Sequence, residues 1–285
     1  MSSPSPVLEV GGTHVSAALV DPDGWTVSDA VRQPLDADAG ADEILARLVS
    51  VALKLPAPAG STWGVAMPDP FDYPKGIALF DAAVGKFGAL HGVDVGAALR
   101  GGLHAEVAFL NDADAFALGE WTAGAAVGAA RVCGLTLGTG VGSGWVVDGA
   151  VVDPGYPRNG RIHLVDVDGV PLEDVMSRRA IRRAFAAAGG APSADVREIA
   201  DLARTGDDRA AAVLERALGA LGVAVGSVLA GFAADLLVVG GSMAASWDLF
   251  EPWLRAGAGT LPPVRVSADA ERSGFVGAAV HALHP

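Results

Sequence analysis

The stretch 111–120, NDADAFALGE, puts three carboxylates, Asp112, Asp114 and Glu120, directly after the apolar run 107–110 and ahead of an alanine-rich helical pattern. A carboxylate at the end of a strand can take a proton from a hydroxyl. The same acids can instead serve a helix, with Asn111 or Asp112 as its N-cap and acids such as Asp114 in its first turn. Three glycine turns give a second signal: LEVGGT (8–13), LTLGTG (135–140) and LVVGGS (237–242), each after an apolar run. Glycine lets a backbone approach a ligand closely, and the N–H groups of such turns can face an anion. No GxxxxGK[ST] sequence occurs and GTGVGSG (138–144) does not fit GxGxxG, which excludes the P-loop and Rossmann patterns.

The elements that must position these residues alternate between β-rich and helical patterns, which indicates an α/β architecture. VLEV and VSAALVD flank the first glycine turn, and DPDGW reads as the next hairpin turn. ADEILARLVSVALKL has helical spacing, and TWGVAMP reads as a buried strand ended by proline. DVGAALRGGL is a short helix opened by an Asp N-cap and closed by glycine, and EVAFL is the strand that ends at the acids. Ligands collect at the carboxyl ends of strands in α/β sheets, so that placement is informative. The second half repeats the scheme. A glycine-rich hairpin, VCGLTLGTGVGSGWVVDGAVV, leads into a loop, DPGYPRNGRIHLVDVDG, and three helical segments run through Ala234. The strand DLLVVGG, a helix around SWDLFEPWLRAG and a final strand and helix follow.

Composition removes other classes. With 51% hydrophobic and 19% charged residues in 285, the chain is globular. A net charge of −13 excludes the basic surface that non-specific nucleic-acid binding needs. The lone cysteine, Cys133, can form neither an internal disulfide nor a thiolate zinc cluster and reads as a small core residue. MSSPSP has no basic or apolar leader pattern, and a cytoplasmic location is expected. The uncharged run Ala217–Ala234 contains a GxxxG, Gly222 to Gly226, but it is rich in Gly and Ala and lacks an aromatic belt. It reads as a buried helix packed closely on a sheet, not a membrane span. Arg178, Arg179, Arg182 and Arg183 fall at helical spacing and read as a solvated face.

Six motifs, LEVGGTHVSAALVD, GVAMPDPFDYPKGIAL, LNDADAFALGEWTAGAA, LTLGTGVGSGWVVDG, LEDVMSRRAI and DLLVVGGSMA, come in order. In that order and spacing the chain resembles the ROK family of sugar kinases, within the actin, sugar-kinase and Hsp70 superfamily. The resemblance runs from Val7 to the helix GFVGAAVHAL. It implies a two-domain actin-like ATPase (ribonuclease-H-like) α/β fold around a cleft, with residues 1–110 plus 274–285 in one domain and 111–273 in the other. It also implies ATP-dependent phosphorylation of a hexose hydroxyl with Mg²⁺, in a cytoplasmic homodimer or homotetramer that binds neither nucleic acid nor membrane. Family repressors carry an N-terminal winged-helix domain, and a start at the first phosphate motif fits a kinase. By the same comparison Asp112 is the general base and Asn111 bonds neighbouring sugar hydroxyls. Gly11, Gly12 and Thr13 would cradle the terminal phosphates from one side, and Gly138, Thr139 and Gly140 from the other. Gly240, Gly241 and Ser242 would line the adenosine. Asp114 keeps the reading of a first-turn acid, and Glu120 that of a solvent-facing helix residue.

The chain also departs from the family pattern. Glu9 stands where the family usually has Asp near the metal, so Mg²⁺ contact would run through water. Family glucokinases carry ExGH and then a zinc-binding CxCGxxGCxE. Here the region is NGRIHLVDVDGVPLED: His163 and Glu173 match, the cysteines are absent, and the ExGH glutamate falls on Gly160, with Asn159 as its polar neighbour. No zinc is expected. His163, Glu173 and Asn159 are the remaining candidates for sugar contact. Arg158, Arg161 and Lys86 are cations that would suit an acidic or phosphorylated substrate if they face the site, and otherwise a solvated rim. A sugar-binding protein of the same fold without turnover is the competing expectation.

Overall fold

The computed structural model describes residues 2–81, 86–155 and 160–284. Contacts divide the chain into two units, Met1–Gly124 with Glu271–Pro285, and Ala125–Ala270. The sequence reading puts the first break near Leu110, whereas the contacts put it after Gly124.

The first unit is built on β1 (Ser5–Val10), β2 (His14–Asp21), β3 (Thr26–Pro34), α1 (Ala41–Ala52), β4 (Trp63–Met67), β5 (Phe71–Asp72), β6 (Ile77–Ala78), α2 (Val95–Leu103), β7 (Val107–Asn111) and α3 (Asp112–Ala123). Its sheet runs β3-β2-β1-β4-β7. β1, β2 and β3 pair antiparallel, and β4 and β7 join in parallel. Strand alternation sends Leu8, Val10 and Val15 to one face, where they pack with Ile44 and Leu48 of α1 and Leu99 of α2. Val7, Ala18 and Ala66 face the other way, onto Ala115 of α3 and onto Phe275 and Val276 of α9 (Ala270–Leu283), the returning helix. Glycines let these helices meet backbone to backbone. A Cβ on Gly119 would collide with the Ser273 carbonyl, and one on Gly277 with the Ala115 carbonyl. That seam puts α3 in the first unit.

The second unit contains β8 (Arg131–Leu137), β9 (Val141–Val147), β10 (Ala150–Val151), β11 (Asp166–Val167), β12 (Val170–Pro171), α4 (Glu173–Met176), α5 (Arg178–Ala187), α6 (Val196–Arg204), α7 (Asp208–Phe232), β13 (Leu236–Gly240), α8 (Trp247–Ala258) and β14 (Val264–Val266). Its sheet runs β10-β9-β8-β13-β14, again with three antiparallel strands followed by two parallel ones. Both units therefore repeat one topology, and the first two glycine turns occupy the same hairpin in each.

Several local expectations change. The region read as one loop contains a hairpin, β11–β12, turned by Asp168 and Gly169, both at positive φ as a two-residue turn requires. Helix α2 has the expected Asp94 cap, 2.7 Å from the Ala97 N–H, but ends on His104 in the left-handed region, not on glycine. Four helices, not three, lie between that hairpin and β13. By length and composition α7 could cross a membrane, and half of its apolar window is buried in the unit. Its small residues face a helix, not the sheet: a Cβ on Gly222 would collide with the Leu254 carbonyl, and one on Gly226 would come 2.7 Å from the Ala258 carbonyl. Cys133 is fully buried in the core of this unit. Arg178, Arg179 and Arg183 are exposed, and Arg178 pairs with Asp195 at 2.7 Å.

Candidate active site

Asn111 ends β7 and caps α3. Its Oδ1 accepts from the Ala113 N–H at 3.0 Å and the Asp114 N–H at 3.3 Å, the bonds expected of an N-cap. Its Nδ2 donates to the Tyr73 hydroxyl at 3.0 Å, and the residue is only 4% exposed. Asp112 is the first residue of α3, half-buried, with Oδ1 2.8 Å from the Ala113 N–H. Asp114 lies in the first turn as expected. Glu120 does not face solvent: it is 1% exposed and accepts from the Ser273 hydroxyl of α9 at 2.7 Å. The glycine seam that brings α9 onto α3 covers it.

Tyr73 and Asp69 are neighbours that the sequence reading did not single out. The Tyr73 hydroxyl lies 2.8 Å from Asp69 Oδ1 and 3.1 Å from the Met67 carbonyl at the end of β4. Burial, then the negative charge of Asp69, holds the phenol well above the usual tyrosine range, so it stays protonated. The short β5–β6 ladder carries the ring into place, 5.3 Å from Phe71, which itself lies 5.1 Å from Phe109 of β7. Both residues lie inside the motif GVAMPDPFDYPKGIAL, but a buried tyrosine leaves no periodic signature that marks its partner.

The first glycine turn is closed by the Gly11 N–H donating to the His14 carbonyl at 2.9 Å. A Cβ on Gly11 would sit 3.0 Å from the His14 ring, and one on Gly12 would sit 3.4 Å from Lys86 Cδ. Lys86 therefore lies over this turn. Thr13 Oγ1 is 3.3 Å from His14 Nδ1. Burial, then the nearby Arg32 charge, depresses the His14 pKa. Glu9 is half-buried on β1, with its carboxylate near Gly274 of α9, 3.6 Å from where a Cβ would stand.

In the second unit the other two turns come together. Gly241, at φ +88°, lies so close to the Leu137 carbonyl that a Cβ would collide with it, and a Cβ on Gly138 would sit 4.0 Å from Ser242 Oγ. Gly240 pairs with Thr136 in the ladder, and the Gly138 N–H donates to the Gly140 carbonyl at 3.0 Å. Thr139 accepts the Arg178 N–H at 3.3 Å. Glu173, which opens α4, lies on the same turn: its Oε2 accepts from the Val141 N–H at 3.3 Å, and its Oε1 would be 2.8 Å from a Cβ on Gly140.

His163 is half-buried in a single 3-10 turn, Ile162–Leu164. Gly160 just before it has φ +72°, and a Cβ there would strike Pro154 and the Trp145 ring nitrogen. The Gly160 carbonyl accepts from Ser143 Oγ at 2.6 Å and from Trp145 Nε1 at 2.9 Å. The position matching the ExGH glutamate thus has no room for a side chain. Asn159 and Arg158 lie outside the described residues. Among the described residues no group of three or more His, Cys, Asp or Glu side chains is arranged to hold a metal.

The ROK family model matches residues 7–284. The chain belongs to the ROK family. A glucokinase of Thermotoga maritima is 29% identical over 276 residues, covering 86% of this chain and 84% of its own. The solved ROK hexokinase of Thermus thermophilus superposes with a TM-score of 0.79 at 25% identity, over 98% of this chain and 97% of that one. A ROK family transcriptional regulator, a homologue of the E. coli MLC protein, reaches the same TM-score of 0.79 at 21% identity, over 98% of this chain and 78% of that one. The fold is that of the actin-like ATPases, and in the ROK family it serves both kinases and regulators.

Proposed function

We propose that this chain is an ATP- and Mg²⁺-dependent kinase that phosphorylates a hydroxyl of a hexose or hexose-like sugar. The observation that carries the reading is Asp112, a half-buried carboxylate at the carboxyl end of β7, with the Asn111 amide fixed beside it. Bound MgATP supplies the phosphoryl group and a counter-charge for the phosphates. Asp112 accepts the proton of the attacking hydroxyl, and the second N–H of the Asn111 amide is the donor left for a sugar oxygen. In the first turn, Gly11–Thr13, the N–H groups of Gly12 and Thr13 are the donors for phosphate oxygens, and in the second, Gly138–Gly140, those of Thr139 and Gly140, because the Gly11 and Gly138 N–H groups close the turns themselves. Gly240–Ser242 lies against the adenosine. Nucleotide fit is supported by the backbone of these turns, since glycine lets N–H groups approach an anion without a side chain between them. The approach of Gly241 to the Leu137 carbonyl sets the third turn beside the second. A divalent cation suits the oxygen donor at Glu9, held through water. His163 and Glu173 are the remaining sugar contacts on this reading. The names of the Thermotoga and Thermus relatives support the same substrate class.

The competing reading is a sugar-binding protein without turnover, favoured by the closed position at Gly160 and by the regulator that shares the fold. ADP release measured with MgATP across a panel of hexoses, amino sugars and polyols separates the two. Sugar-dependent ADP release is the expected result. Sugar binding without ADP release from any member would establish the competitor.

A further inference from the structure

Three chain segments meet at one phenolic hydroxyl: the end of β4 with Met67 and Asp69, the β5–β6 ladder with Tyr73, and the β7–α3 junction with Asn111 and Asp112. The donors and acceptors there can be assigned. Asn111 Oδ1 accepts two backbone N–H groups of α3, so the other end of the amide, Nδ2, must face Tyr73 as a donor. The phenol oxygen therefore accepts, and its single proton goes to Asp69 Oδ1, the shorter and charged acceptor. The chain of donation runs from Asn111 to Tyr73 to Asp69. Burial keeps the phenol protonated, so the direction of the chain is fixed at any ordinary pH.

The consequence concerns Asp112. Asn111 fixes the first turn of α3 through Ala113 and Asp114, and Asp112 is the first residue of that turn. An amide free to rotate would loosen the cap and with it the Asp112 carboxylate. Reaction rates fall steeply when a proton acceptor strays from its aligned position. We propose that Tyr73, anchored by Asp69, is the positioning residue of the acceptor site: it locks the Asn111 amide and so holds Asp112 toward the sugar hydroxyl. This rests on the kinase reading above for its effect on rate, but not for its effect on α3.

The test is Tyr73→Phe, which removes one oxygen and leaves the ring against Phe71. Two readouts are taken on the full chain. Steady-state kinetics should give kcat lowered by about tenfold or more and sugar KM changed by less than about threefold. Hydrogen exchange should show the amides of Ala113 and Asp114 exchanging about tenfold faster, while those of α1 keep their protection. Asp69→Ala should reproduce both effects, and Asp69→Asn, whose amide oxygen still accepts, should restore most of the rate and the protection. Unchanged protection at Ala113 and Asp114 in the Tyr73 and Asp69→Ala variants overturns the proposal whatever the rates are. Unchanged kcat in Tyr73→Phe from an active parent overturns it as well. If the parent releases no ADP with any sugar, the kinase reading fails, and the exchange data alone decide the role of Tyr73.

Discussion

Asp112 is set apart from the two acids that follow it by its surroundings. Asp114 donates its backbone N–H to Asn111 Oδ1 within the first turn, and Glu120 is sealed under α9 against Ser273. Asp112 alone joins a strand end, a fixed amide neighbour and partial exposure. Asp112→Asn keeps the shape and the acceptor oxygen but cannot take a proton. Turnover should fall by about 10²- to 10⁴-fold with folding and sugar binding nearly intact, as kinetics and calorimetry on the same preparation would check. Gly160 makes the opposite case, where the lost side chain cannot be put back. Its φ of +72° and the contact with Trp145 mean that Gly160→Glu must open the loop held by Ser143 and Trp145. It should cost about 1–3 kcal/mol in urea unfolding and leave glucose affinity no better.

At the scale of elements, local signals were legible and long-range ones were not. The Asp94 cap, the DPDGW turn and the helical spacing of α1 each act within a few residues, so the sequence displays them directly. The Asp168–Gly169 turn carried an equally plain signal but was read as loop, because its strands are only two residues long. The burial of Glu120 could not be read, since its partner Ser273 is 153 positions away and a glutamate inside a helix ordinarily faces solvent. That bond tests the seam. Ser273→Ala removes the hydroxyl donor from a buried carboxylate and should cost about 1–3 kcal/mol by urea denaturation. Turnover of the folded protein should stay unchanged, because neither residue reaches the acceptor site in this reading. A loss of kcat without loss of stability would contradict it. The small residues of α7 were legible as a close-packing device, but not their partner, since Gly222 and Gly226 look the same in sequence whether a sheet or α8 covers them.

At the scale of the whole molecule, the recurring glycine turns were the outward sign of a duplicated sheet topology. The first two turns occupy the same hairpin in each unit. The third follows β13, whose counterpart β4 is followed in the first unit by the segment that carries Asp69. Where family glucokinases staple the segment after His163 with zinc, this chain closes it with the two-residue turn of β11–β12. Purified protein should therefore carry no stoichiometric zinc, and chelators should leave its melting temperature unchanged. Elemental analysis finding about one zinc per chain would show ligands not identified among the described residues. Substrate choice follows from the same region. A carboxylate that accepts from sugar hydroxyls contributes about 1.5–3 kcal/mol, so its absence should lower kcat/KM for glucose by roughly 10- to 150-fold relative to a site that has it. At the first glycine turn Lys86 adds positive charge within 3.9 Å of where a Cβ on Gly12 would stand. An ammonium group there favours an anionic group on nucleotide or substrate. A competition panel of glucose, other neutral hexoses, amino sugars, sugar acids and sugar phosphates, scored by kcat/KM, should rank glucose below the best substrate. Glucose emerging as the best by a wide margin would mean that the closed position at Gly160 does not govern recognition, and that His163 and Glu173 suffice for the hydroxyls it would have bound.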